Sequence, residues 1–270
     1  MSGVGGIVAD LVADVDALFV FSPSGANFEE IRATVDVPVV VVDTENAVGA
    51  ELFIELPLQF TDVREQIRFA LEGGIDQELI DTGTMVLCAL RLFDDGLDSF
   101  TRVRAGEFSQ TGIYDLFVNS RAEPSVIRAV LEVVIGLGKK GQKGKPVGAL
   151  FVVGDAGKVM NKSRSLSYNP FEKSHVHVGD PIVDVMLKEF SRLDGAFVIS
   201  DSGKIVSAYR YLEPATEGVD IPKGLGTRHM AAGAITRETN SIAIVLSESD
   251  GLVRAFSGGE LIFELDPEAY

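Results

Sequence analysis

Apolar residues gather into short runs along the first part of the chain, and the runs alternate with stretches of helical periodicity. Ala17–Ser22, Val37–Asp43, Ala50–Leu56 and Thr84–Leu90 are rich in Val, Ile, Leu and Phe and predict buried strands. Between them, Asn27–Thr34 reads as a helix capped by Asn27, with Glu29 and Glu30 suited to its first turn. Asp62–Leu71 reads as a second helix, with Val63, Ile67, Ala70 and Leu71 on one face and Gly73-Gly74 as its stop. Strands alternating with helices predict a small α/β layer built on a mostly parallel sheet.

The pattern changes after Pro124. Val126, Ile127, Val130, Leu131, Val133, Val134 and Leu137 give one helix a broad apolar face, and Gly138 is expected to end it. The basic, glycine-rich stretch Lys139–Pro146 follows as a breaker. Beyond it, Gly148–Val153 predicts a strand, Gly154–Gly157 a turn, and Pro181–Phe190 a helix opened by Asp180-Pro181. Ala196–Ser200 and Ile205–Tyr211 predict a hairpin around Asp201-Ser202-Gly203, and Ser241–Ser247, Leu252–Phe256 and Glu260–Leu265 predict three more strands. The expected organisation is α/β throughout. A small α/β domain occupies residues 1–118, a linker helix and basic loop 119–145, and a domain with a mixed sheet flanked by helices 146–270.

Charge changes this picture in one respect. The net charge is −16, with 40 acidic against 24 basic residues, which argues against a nucleic-acid surface and requires any polyphosphate to be met by local cations or a metal. An acidic surface in which arginine exceeds lysine suits a high-salt cytoplasm, and equally an ordinary acidic cytosolic protein. No apolar run is long enough for a membrane span, and the first residues lack the basic and apolar regions of a signal peptide, so a cytoplasmic protein with no membrane partner is expected. The single cysteine, Cys88, excludes an internal disulfide and reads as a buried small hydrophobe.

The chemistry concentrates in Gly224-Leu225-Gly226-Thr227-Arg228-His229. Glycines allow a backbone to approach a ligand, Thr227 stands where an N-cap belongs, and a helix would follow through Ala231, Ala232, Ala234 and Ile235. Free N–H groups, the positive end of the helix dipole and the Arg228 fork together form an anion site. Asp194-Gly195-Ala196 precedes it at the mouth of a strand. Asp-Gly alone is an ordinary turn; beside Thr227-Arg228-His229, a carboxylate there can hold a divalent metal and orient a ribose hydroxyl. Other phosphate loops fail on inspection: Gly138–Gly144 has one residue too many for a Walker A loop, and Pro146 stands where Ser or Thr is needed. His175 and His177, spaced i, i+2, lack a third ligand and read as surface residues. Residues 1–118 hold no catalytic constellation.

Asp194-Gly195-Ala196 and Gly226-Thr227-Arg228-His229, in that order, resemble the two signature motifs of the diadenylate cyclase (DAC) domain in its archaeal type. The resemblance covers roughly Val147 to Leu265 and includes Gly148–Asp155, Asn169-Pro170-Phe171, Tyr209–Leu212 and Ser247-Glu248. Leu193, Met230 and Ser249 depart from the bacterial pattern, and the N-terminal part resembles the pyruvate-kinase-like α/β domain of archaeal diadenylate cyclases. The resemblance implies synthesis of cyclic di-AMP from two ATP by two DAC domains face to face. It implies Asp194 as the catalytic residue and, with Glu248, as a ligand of Mn²⁺ or Mg²⁺. Gly195, Ala196, Tyr211, Leu212, Gly226, Thr227, Arg228, His229, Ser247 and Glu248 would hold ATP, and the protein would be a homodimer or higher homo-oligomer. The competing expectation is a non-catalytic sensor of adenine nucleotide or cyclic di-AMP using the same pocket.

Overall fold

In the computed structural model, the described residues are 4–60, 62–93, 96–107, 112–118, 120–141, 147–190, 194–215, 221–222 and 224–269. The expectations for Leu193 and for loop residues 142–146 fall outside them. The chain divides into two compact units, residues 1–114 and 115–270.

The first unit contains α1 (Val4–Leu11), β1 (Ala17–Phe21), α2 (Gly25–Arg32), β2 (Val39–Asp43), β3 (Phe53–Glu55), α3 (Val63–Asp76), β4 (Met85–Leu90) and β5 (Ser99–Arg104). Its sheet runs in the order β3-β2-β1-β4-β5; the first four strands are parallel and β5 pairs antiparallel with β4. The mostly parallel sheet is as expected. Alternation along β1 sends Leu18 and Val20 into a cluster with Val8, Ile31, Leu87 and Ala89, and Phe19 to the other face.

Two helices correct the expectation. The α2 helix starts at Gly25, because the Ser24 hydroxyl, and not Asn27, supplies the cap by accepting from the Asn27 N–H at 3.2 Å. The α3 helix runs through Gly73-Gly74 to Asp76. The glycines serve packing rather than termination: a Cβ on Gly73 would stand 2.7 Å from the Tyr114 ring, and one on Gly74 2.9 Å from the Phe19 ring. The α1 helix and β5 were not expected from the sequence pattern.

After α4 (Ile113–Val118), the second unit contains α5 (Pro124–Lys140), β6 (Ala149–Val153), α6 (Ala156–Asn161), β7 (Ser163–Ser165), α7 (Pro181–Phe190), β8 (Ala196–Ile199), β9 (Ile205–Leu212), α8 (Thr227–Glu238), β10 (Ile242–Leu246), β11 (Val253–Ser257) and β12 (Glu260–Leu265). The sheet order is β12-β11-β10-β6-β8-β9-β7, and only β6 and β8 are parallel, so the mixed sheet is as expected. Leu150, Val152, Ala243 and Val245 pack with Ala232 and Ile235 of α8, while Phe151 and Phe197 stack at 4.9 Å. The α5 helix passes through Gly138, where a Cβ would stand 2.6 Å from Pro267, so this glycine also answers to packing. The expected turn at 154–157 is shorter than foreseen: Gly154 and Asp155 take left-handed conformations and α6 starts at Ala156.

Candidate nucleotide site

The site lies where β6 and β8 begin and β10 ends, with the N-terminus of α8 above them. The α8 helix starts one residue earlier than its motif suggests: Gly226, not Thr227, is the N-cap, with an extended backbone and no side-chain cap, and Thr227 is the first helical residue. The Gly226 carbonyl accepts from the N–H groups of His229 and Met230 at 3.1 and 3.2 Å. The uncapped start gives an approaching anion the dipole end and the first-turn backbone.

Asp194 stands at the entry to β8 with its side chain 94% exposed. Gly195 sets this position. Its φ is +108°, and a Cβ there would meet the Tyr209 backbone at 2.7 Å. Tyr209 itself takes φ +57° inside β9, and the pairing register shifts between Ala196 and Val198. This irregularity brings β8 and β9 into close backbone contact beneath Asp194.

Arg228 joins the motifs. Its Nη2 lies 3.7 Å from Oδ1 of Asp194 and its Nη1 3.3 Å from Oε2 of Glu248. Both carboxylates are well exposed, so the cluster holds one cation and two anions open to solvent. Among the described residues no group of three or more His, Cys, Asp or Glu side chains forms a cage for a metal ion. Two carboxylates are nonetheless a sufficient protein share for a Mg²⁺ or Mn²⁺ that takes its other oxygens from phosphates and water. The residues therefore fit an ion that arrives with a nucleotide.

A cleft of about 990 Å³ opens beside this cluster. Leu150, Leu166, Ala196, Leu212 and Ala231 give it an apolar end, and Asp194, Thr227, Arg228 and Glu248 a charged one. Tyr211 lines the cleft half-exposed, its ring covered by the Arg164 guanidinium at 4.7 Å; Arg164 is held by Glu213 at 2.7 Å. A recess of about 320 Å³ continues past Arg228 and is lined by Gly226, His229, Ser247 and Ser249. Apolar surface beside convergent polar groups suits a base and its phosphates.

His229 is placed deeper than its motif suggests. It is 4% exposed, packs edge-on against Phe256 at 6.1 Å, and neither buried ring nitrogen has a hydrogen-bond partner. Burial, reinforced by the charge of Arg254, lowers its pKa; Asp250 opposes this and Arg228 adds to it. Ser247 is also buried, with its hydroxyl 3.2 Å from that of Ser249.

The other candidates separate from the site. His175 and His177 are exposed, as expected, and Nδ1 of His177 lies 3.2 Å from the Ser202 carbonyl. Burial pushes the Cys88 thiol up to about 12, which suits an inert core residue. Asn169 pins its loop to β9: its side chain donates to the Val206 carbonyl and accepts from the N–H groups of Phe171 and Ala208. Sequence reasoning missed Leu150, Leu166, Arg164 and Glu213. Their roles come from the pairing of β7 with β9 and from the facing of β6 to α8, which no local spacing records.

Known proteins resemble the chain along its whole length. Residues 1–125 match the family described as "Diadenylate cyclase, N-terminal", and residues 137–261 the family described as "DisA bacterial checkpoint controller nucleotide-binding". The chain is 68% identical to a diadenylate cyclase of Haloferax volcanii over all 270 residues, covering 100% of each. It is 41% identical to one of Methanocaldococcus jannaschii over 175 residues, covering 64% of this chain and 56% of that one. A solved structure of DacA from Staphylococcus aureus aligns over 54% of this chain and 91% of its own, at 25% identity and a TM-score of 0.36.

Proposed function

The chain belongs to the diadenylate cyclase family, and on that premise we propose how its cleft joins two molecules of ATP into cyclic di-AMP with release of two pyrophosphates. One observation carries the reading: Arg228 stands between Asp194 and Glu248 at the junction of a cleft with one apolar and one charged end. Adenine lies against Tyr211 and Leu212, beside Ala196. The triphosphate turns toward the α8 N-terminus, where the Thr227 and Arg228 backbone and the Arg228 fork meet it. Gly195 and Gly226 let the backbone approach. His229 and Ser247 shape the recess past Arg228.

Each chain has one such site, so each holds one ATP, and the product needs two phosphodiester bonds. Two copies facing across a two-fold axis place each 3′-hydroxyl in line with the partner's α-phosphate. The 3′-oxygen forms a bond to that phosphorus, the bond to the bridging oxygen breaks, and pyrophosphate leaves. The hydroxyl proton passes to the Asp194 carboxylate and on to solvent. Arg228 stabilises charge on the departing pyrophosphate. Asp194 and Glu248 would hold Mn²⁺ or Mg²⁺ carried in with the nucleotide, which supplies charge neutralisation at the phosphates. The partners are thus ATP and a second copy of the chain. The net charge of −16 argues against a general nucleic-acid surface. The substrate is cytoplasmic, and no helix among the described residues is long and apolar enough to cross a membrane.

The test is to incubate the purified protein with ATP and Mn²⁺ and identify products by mass. Cyclic di-AMP with pyrophosphate supports the reading. Bound ATP that is recovered unchanged supports the sensor instead.

A further inference from the structure

Gly148 sits buried just before β6, beneath the Arg228 side chain. Glycine there is not required by the backbone, because Gly148 is absent from the positions with left-handed φ. Space is the reason. A Cβ built on Gly148 would meet Nη1 of Arg228 well inside van der Waals contact, and would stand 3.0 Å from Cζ of Arg228 and 3.1 Å from Cβ of Glu248. The three nearest atoms to the missing side chain thus belong to the charged cluster. Gly195 is different: its missing side chain would meet the Tyr209 backbone, which cannot yield cheaply. The atom nearest the added Cβ is the far end of a flexible arginine side chain, 32% exposed. An added methyl group is therefore expected to leave the fold standing and to move the guanidinium away from the gap between Asp194 and Glu248.

We propose that Gly148 is a positioning residue of the nucleotide site, whose missing side chain provides the volume in which the Arg228 guanidinium stands ready for phosphate. The inference rests on the reading of Arg228 as the triphosphate-holding residue. Displacing a positioned group by about an ångström can cost up to about 100-fold in rate, and the loss of the guanidinium's contacts falls on ligands that carry the outer phosphates.

The experiment compares the parent, Gly148→Ala, Arg228→Ala and the double variant. Each is titrated calorimetrically with 3′-deoxy-ATP, which lacks the attacking hydroxyl and cannot turn over, and with AMP; thermal unfolding is followed in parallel. Gly148→Ala is expected to weaken 3′-deoxy-ATP about tenfold, the loss of about one charge-assisted contact, leaving AMP affinity and the unfolding temperature close to the parent. In the Arg228→Ala background the same change should do nothing further, because the group it displaces is gone. An equal loss in both backgrounds, or no loss in either while Arg228→Ala does weaken the analogue, overturns the positioning role alone. If Arg228→Ala binds the analogue as the parent does, the phosphate reading fails and takes this inference with it. Should Gly148→Ala unfold early, recovery of the parent's unfolding temperature in the double variant supports the clash with Arg228, and a double variant that is equally unstable overturns it.

Discussion

At the carboxyl ends of the parallel strands in the first sheet, the polar side chains close on backbone. Nη1 of Arg91 donates to the Ser22 carbonyl at 3.0 Å after β1, Oδ1 of Asp43 accepts from the Thr44 N–H at 2.8 Å after β2, and Asp98 accepts from the N–H groups of Leu92 and Phe93 beyond β4. At the mouth of the second sheet the polar groups face open space. Asp194 is almost fully exposed, and Arg228 bridges two carboxylates at distances longer than a tight pair. Similar apolar strands underlie both sheets. The difference is that one set of polar groups is consumed in holding loops and the other is left for a ligand, so chemistry is assigned from the site and not from the sheet.

The largest test of this contrast is Asp194→Asn. It keeps volume and removes charge, so ATP binding and fold should persist while cyclic di-AMP production falls by about 10²–10⁴-fold. Near-normal production by this variant sinks the catalytic role. Arg228→Ala should cost ATP about 1.5–3 kcal/mol of binding and AMP far less, because its partners are the outer phosphates. Equal weakening of both nucleotides in calorimetry contradicts the assignment.

Gly73→Ala probes the other side of the comparison. The added methyl group meets the Tyr114 ring and should cost the first unit about 1–3 kcal/mol through overpacking, read as faster hydrogen exchange in α3. ATP affinity should not move; a matching fall would show that the first sheet shares in the site.

The smallest effect is on pH dependence. The folded His229 pKa lies below its ordinary value of 6.5, so the unfolded chain takes up this proton first as pH falls. The stability present above that value is then lost as pH drops through the interval below it, with a slope of at most about 1.4 kcal/mol per pH unit. His229→Gln should flatten this limb of the stability curve. An unchanged limb means that other groups carry it.

Much of this was legible in the chain itself. The strands of both sheets followed from short Val-, Ile- and Phe-rich runs, and α8 from the glycines and small apolar residues around Arg228. Asp194 and Arg228 were paired by motif before any geometry, and the structure places them 3.7 Å apart. What could not be read depends on contacts distant in sequence. Gly73, Gly74 and Gly138 look like helix stops in isolation, and become packing residues only once Tyr114, Phe19 and Pro267 are beside them. Arg164 meets Tyr211 because β7 pairs with β9. The His229 ring meets Phe256 because α8 packs on β11, which the motif does not record.

The central claim is that one chain carries half of the reacting assembly. Specific activity should therefore be measured against enzyme concentration, with mass followed by light scattering in the same samples. The rate is expected to rise faster than linearly at low concentration, as separate sites meet. A strictly monomeric species that makes cyclic di-AMP at constant specific activity over a wide range of dilution would contradict it.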